Sequence, residues 1–176
     1  MKKTISLILT AVLIFAFAVF ALGSGSKDST TVEKNAKTEQ SGSSQEENKR
    51  VEINVGETLN ANELKITYDS AEKWSSSNEF IQPGDGKQFI RLHFSIENNT
   101  GSDQYIGLGD FECYADGSKC ESSYFGDDML SFDSLSSGRK IAGYVYYEVP
   151  VNASEIEIEY ETSFWTDKKA YFIVNL

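Results

Sequence analysis

Apolar and polar residues alternate with a period of two along most of the chain beyond residue 50. Leu64, Ile66 and Tyr68 are separated by Lys65 and Thr67. Ile90, Leu92, Phe94 and Ile96 alternate with Arg91, His93, Ser95 and Glu97. Ile141, Val145, Tyr147 and Val149 share one phase, and Ile156, Ile158 and Tyr160 are set between Glu155, Glu157, Glu159 and Glu161. The tail from Ala170 to Leu176 is short, apolar and rich in strand formers. Side chains of a strand point alternately to its two faces, so each run predicts a strand with one buried face. No stretch holds a helical period over three turns. The runs are punctuated by Gln82-Pro83-Gly84-Asp85-Gly86, Asn98-Asn99-Thr100-Gly101, Asp116-Gly117, Ser136-Ser137-Gly138 and Val149-Pro150, all turn chemistry. Seven to nine short strands at this spacing predict an all-β antiparallel sandwich over residues 51–176.

The first fifty residues read differently. Lys2 and Lys3 precede an uncharged, mostly apolar run from Ile5 to Leu22. Residues 1–23 therefore read as a signal peptide, cut near Ala21 or Gly23, or as an uncleaved membrane anchor; 18 residues suit either. Residues 24–50 carry one Val, one Ala and no aromatic residue, with five basic and five acidic side chains. Such a stretch buries too little apolar surface to offset the entropy of ordering and reads as a disordered linker. As a coil it reaches about 25–30 Å.

Charge narrows the partners. The 176 residues carry 16 Lys+Arg against 27 Asp+Glu, and residues 51–176 alone carry 9 against 22. This balance opposes binding to nucleic acid or to an anionic membrane surface, leaving the N-terminal segment as the membrane contact. One His and two Cys cannot build a tetrahedral Cys/His zinc site. Neither a Gly-rich phosphate loop nor a Gly-x-Ser-x-Gly elbow is present, and no cofactor is implied.

A set of short motifs adds a resemblance. Gly86-Lys87-Gln88-Phe89-Ile90 leads to Ile96-Glu97-Asn98-Asn99-Thr100; Asp110-Phe111 and Asp116-Gly117 follow. Leu135-Ser136-Ser137-Gly138-Arg139-Lys140-Ile141-Ala142-Gly143 then leads to Tyr147-Glu148-Val149-Pro150, and the chain closes on Ala170-Tyr171-Phe172. In this order the motifs resemble a large bacterial domain-of-unknown-function family of secreted proteins and lipoproteins. That family is similar to the immunoprotective extracellular antigens. The resemblance implies an immunoglobulin-like sandwich and an extracytoplasmic home, secreted or held at the outer face of the membrane, and it implies no activity. Many members carry a lipid-attachment Cys after the signal, whereas Ser24 follows Gly23 here.

Few residues could carry chemistry. Cys113 and Cys120 flank Asp116-Gly117 symmetrically and would face each other across a hairpin. Export favours a disulfide between them, with two half-buried free thiols as the alternative. A two-residue loop would make them a hydrogen-bonded pair, too wide for easy bridging; a four-residue loop would bring them closer. Their spacing is not a redox motif and the only His lies on another strand, which argues against a catalytic thiol. His93 falls on the polar phase of its strand and reads as solvated. Asp127, Asp128 and Asp133 are weak candidates for calcium, with Met129, Leu130 and Phe132 intervening. The Glu155–Glu161 row reads as charge that resists edge-to-edge aggregation or meets a basic partner. Tyr144 and Tyr146 share the outward phase and form the candidate interaction surface; their rings would otherwise pack on a neighbouring loop. Trp74 and Trp165 read as rim packing, and Asn98-Asn99-Thr100 and Asn152-Ala153-Ser154 as turns.

These observations favour a non-enzymatic binding module whose partner is a protein or another macromolecule of the cell envelope. An exported carrier of a small ligand or calcium is the alternative. A hydrolase built on Asp110 and Glu112 is a third reading, weak in a chain this acidic.

Overall fold

The computed structural model describes residues 30–34, 50–131, 133–163 and 168–176. Residues 1–23, most of residues 24–50 and Trp165 lie outside them. Thirteen strand segments occur among the described residues: β1 (Thr30–Lys34), β2 (Val51–Ile53), β3 (Glu57–Ala61), β4 (Leu64–Trp74), β5 (Lys87–Asn98), β6 (Gln104–Tyr105), β7 (Phe111–Ala115), β8 (Ser118–Lys119), β9 (Glu121–Ser123), β10 (Ser134–Leu135), β11 (Lys140–Pro150), β12 (Ile156–Ser163) and β13 (Lys168–Ile173). Five of them are only two or three residues long, leaving eight of five or more, seven of which lie within residues 51–176, in the expected range. Among the described residues no helix is long and apolar enough to cross a membrane.

The strands form a β-sandwich. The larger sheet runs β1-β3-β4-β5-β11-β9 and the smaller β2-β13-β12-β7-β8, with β10-β6 as a separate two-stranded ribbon. The named pairings are antiparallel except β13 with β2, which is parallel. The alternating residues meet between the layers. Ile66, Tyr68, Ile90, Leu92, Phe94, Val145, Tyr147 and Val149 of the larger sheet face Phe111, Ile158, Ala170 and Phe172 of the smaller, all buried. Phe94 is the hub, with its ring centroid 5.4 Å from Tyr68, 5.1 Å from Phe111 and 5.0 Å from Phe172. Such offset and edge-on contacts add to area burial. The Tyr147 hydroxyl ties the layers by donating to the Phe111 carbonyl at 2.8 Å.

Three departures from the sequence reading have local causes. Thr30–Lys34, within the stretch read as linker, is an edge strand on β3. Its backbone borrows the open edge of an existing sheet, Val32 packs against the core, and Glu33 reaches Lys65 at 3.1 Å. The β3–β4 hairpin turns through Asn62 (φ 51°) and Glu63 (φ 71°), a left-handed pair without the usual glycine. Finally, β4 and β5 slip register between Tyr68 and Ser70, making Asp69 the bulged residue.

The smaller sheet's acidic row is met by the chain itself. Arg50 pairs with Glu157 and lies 3.9 Å over the Tyr171 ring, and Lys169 pairs with Glu159 at 2.6 Å.

Candidate functional site

The three aspartates read as a weak cation site serve structural ends. The backbone carbonyl of Asp127 accepts from the Tyr146 hydroxyl at 2.6 Å, and that of Asp128 from the Tyr144 N–H at 2.9 Å. Asp133 accepts from the Ser134 N–H with its carboxylate and from Ile106 with its carbonyl. Among the described residues no group of three or more His, Cys, Asp or Glu side chains could hold a metal ion. The bonded oxygens of Asp127 and Asp128 are backbone carbonyls turned onto β11, and the Asp133 carbonyl is turned onto Ile106, just beyond β6.

The same loop corrects the tyrosine surface. Gly126 and Asp127 lie over the outer face of β11, and the loop then pairs along the strand's edge, with Leu130 N–H donating to the Tyr144 carbonyl and Met129 bridging to Tyr144. A Cβ at Gly126 would lie 2.2 Å from the Tyr146 ring, so only glycine lets the backbone lie flat there. Tyr146 is consequently 1% exposed although it points away from the core. Tyr144 remains half-buried.

Cys113 and Cys120 are free thiols, not a disulfide, and lie opposite each other on the Asp116-Gly117 hairpin. Asp110 and Glu112 are held separately. Asp110 sits in a short 3-10 turn, accepts from the Gly107 N–H at 2.7 Å, and is pushed up by burial. Glu112, on β7, is held down by Lys119 at 2.6 Å.

What sequence reasoning missed is a polar face on the central strands of the larger sheet. His93 is not merely solvated: its Nδ1 lies 2.8 Å from Asp69 Oδ2, and the Ser95 hydroxyl donates to the same oxygen at 2.7 Å. A carboxylate only accepts, so Nδ1 carries the proton of this hydrogen bond. The bulge brings Asp69 to this face, in keeping with the way bulges re-aim side chains. The His93 ring packs edge-on to Tyr144 at 4.7 Å. Arg91 lies 4.2 Å over the Tyr144 ring and donates to Glu72 at 2.8 Å. Beyond this cluster runs an open groove of about 420 Å³, with Thr67, Ser95 and Ala142 between Lys65, Glu97 and Lys140. Lys140 pairs with Glu97 at 2.8 Å and holds its carboxyl below the usual range. Trp74, read as rim packing, lies against Phe89 and Tyr146. The one sequence signal for the face was the polar phase of β5; nothing in the spacing places Asp69 beside a residue 24 positions away.

The fold is an all-β, immunoglobulin-like sandwich with this polar face on its larger sheet. Residues 53–170 match the family described as Domain of unknown function (DUF4352), and the chain belongs to that family. No curated protein matches the chain. Among solved structures it is similar to ycdA of Bacillus subtilis, a candidate lipoprotein, at 12% identity and TM-score 0.57 over 67% of this chain. The chain spans only 38% of that structure's length. It is also similar to the yjhA protein of Bacillus subtilis, at 15% identity and TM-score 0.55, covering 69% of this chain and 98% of the other. A secreted protein of Mycobacterium tuberculosis, MPT63, matches at 14% identity and TM-score 0.48, covering 74% and 100%.

Proposed function

We propose that this chain is a non-enzymatic extracytoplasmic binding module, secreted or tethered by its N-terminal segment, whose contact face is the groove on the larger sheet. The description of ycdA as a candidate lipoprotein supports the location. The observation that carries the binding reading is the pairing of charge along the face. Lys65 with Glu33, Lys140 with Glu97 and Arg91 with Glu72 are opposed charges, so the face is close to neutral on a chain of formal charge −11, with the Asp69 carboxylate hydrogen-bonded by His93 and Ser95. Oriented polar groups without net charge suit a ligand held by hydrogen bonds and ring contact, such as a polymer of the cell envelope. Except for Glu33 on β1, these residues stand on the long strands β4, β5 and β11, which hold them rigidly. Ser95 gives its proton to Asp69 and not to the imidazole, an orienting arrangement rather than an activated nucleophile.

The test is co-sedimentation of residues 24–176 with purified cell-wall sacculi. Ala142 is exposed on the groove, so Ala142→Arg blocks it without entering the core. The wild type should sediment and Ala142→Arg should remain in solution at an unchanged melting temperature. Equal sedimentation of both would remove the groove from the reading. The groove's volume also suits a small solute. That second reading predicts a raised melting temperature with soluble wall fragments or other solutes, lost in the same variant.

A further inference from the structure

The second cleft, about 460 Å³, lies against the smaller sheet and is lined by Phe111, Glu112, Cys113, Lys119, Cys120 and Tyr124 among others. Both thiols of the chain border it. Asp116 (φ 48°) and Gly117 (φ 76°) form a two-residue turn, with Ala115 opposite Ser118 and Tyr114 opposite Lys119. The next pair is Cys113 and Cys120, and the Cys120 N–H donates to the Cys113 carbonyl at 2.8 Å. Six intervening residues are thus brought to zero separation by the hairpin. Hydrogen-bonded pairs stand about 5.5 Å apart at Cα, inside the range a disulfide spans but wider than the pairs that bridge most readily.

The two thiols differ. Cys113 is 1% exposed, and Cys120 is half-buried on the edge of the hairpin. The Cys120 thiol donates to the Ser118 carbonyl at 3.7 Å, and the closeness of the two sulfurs lowers Cys120 and raises Cys113; Lys87 adds a smaller effect on Cys120. A more acidic, reachable thiol beside a buried one is the arrangement of an attacking and a resolving cysteine.

We propose that Cys113 and Cys120 form a reversible thiol–disulfide exchange site, in which Cys120 attacks a disulfide brought into this cleft and Cys113 resolves the product. The Cys120 thiolate bonds to one sulfur of the incoming disulfide and expels the other as a thiolate. The Cys113 thiol, losing its proton to solvent, then bonds to Cys120 and expels the second sulfur. The protein loses two hydrogens, and the incoming disulfide is reduced to two thiols. The source of that disulfide is a small molecule or an oxidised dithiol protein, and the two arms of the test separate them.

Reduced protein is mixed with oxidised glutathione in one arm and with an oxidised thioredoxin-type protein in the other, and intact mass is followed. Wild type should finish two hydrogens lighter with no adduct. Cys113→Ser, which keeps a small polar group beside Cys120, should accumulate a mixed disulfide on Cys120, at least about tenfold faster than Cys120→Ser forms one on Cys113. Reaction in one arm only identifies the source. A wild type that keeps both thiols in both arms, or ends with a stable adduct, overturns the proposal, as do single variants that react alike. Should Cys113→Ser fail to fold, the wild-type mass alone decides.

Discussion

Two buried tyrosines of one core should respond to loss of the hydroxyl with opposite signs. Tyr147 and Tyr68 both have their rings between the sheets, at 0% exposure. The Tyr147 hydroxyl donates to the Phe111 carbonyl at 2.8 Å, a buried bond. The Tyr68 hydroxyl has no hydrogen-bond partner among the described residues. Burial raises the ionisation of both, so both are neutral at physiological pH. Tyr147→Phe removes a bond with a net worth of about 1 kcal/mol and exposes the carbonyl to part of its desolvation penalty, for a loss of about 1–2 kcal/mol. Tyr68→Phe removes an unsatisfied hydroxyl whose burial costs about 1–3 kcal/mol, while keeping ring contacts to Phe94 and Phe172 at 5.4 and 5.6 Å. Its stability should rise by roughly 1 kcal/mol, discounted for the hydroxyl's lost packing. Urea unfolding of residues 24–176, followed by far-ultraviolet circular dichroism, reads both. With a slope of about 1–3 kcal/mol per molar, the midpoint should fall by roughly half a molar or more in Tyr147→Phe and rise by a few tenths in Tyr68→Phe. A fall in both midpoints at unchanged slope would refute the reasoning, because it would mean that the Tyr68 hydroxyl is bonded in solution.

Two further outcomes follow from single buried polar groups. Asn98 is 0% exposed and makes four side-chain hydrogen bonds: it donates to the Ser102 and Leu135 carbonyls and accepts from the Thr100 N–H and hydroxyl. Asn98→Ala should cost about 3–4 kcal/mol, at about 1 kcal/mol per bond, and a stability loss from urea unfolding under a quarter of that would show the loop re-pairing with water. Asp110 has its folded-state ionisation raised by burial, so stability falls as pH rises from the unfolded carboxyl's range through the folded value. Asp110→Asn keeps an oxygen for the Gly107 N–H and should melt higher than wild type at pH 7. The gain should vanish below about pH 4, where the unfolded carboxyl is also protonated; a gain that persists there would point to packing instead of charge.

The chain's own pattern determined the class of fold and the inward set of residues. Ile90 to Ile96 and Ile156 to Tyr160 point where their alternation says, because a period of two leaves a strand one apolar face to bury. Asp116-Gly117 announced its hairpin, since few residue pairs adopt two successive left-handed conformations cheaply. The family resemblance was legible for a related reason: its motifs are turns and strand ends whose order survives in the chain. Only the tertiary structure decided the rest. A bulge at Asp69 turns one more side chain outward and completes the cluster with His93 and Ser95, and a register slip leaves no mark on a hydrophobic pattern. Tyr146 is outward by phase yet buried, because a loop some 20 residues earlier in the chain lies over it. Thr30–Lys34 lacks the apolar residues to order itself and is ordered by the free edge of β3, an edge that exists only once the sheet has formed. Local alternation is written in neighbouring residues; sheet edges, covering loops and paired charges arise between residues far apart, and contacts of that kind come into being only with the fold.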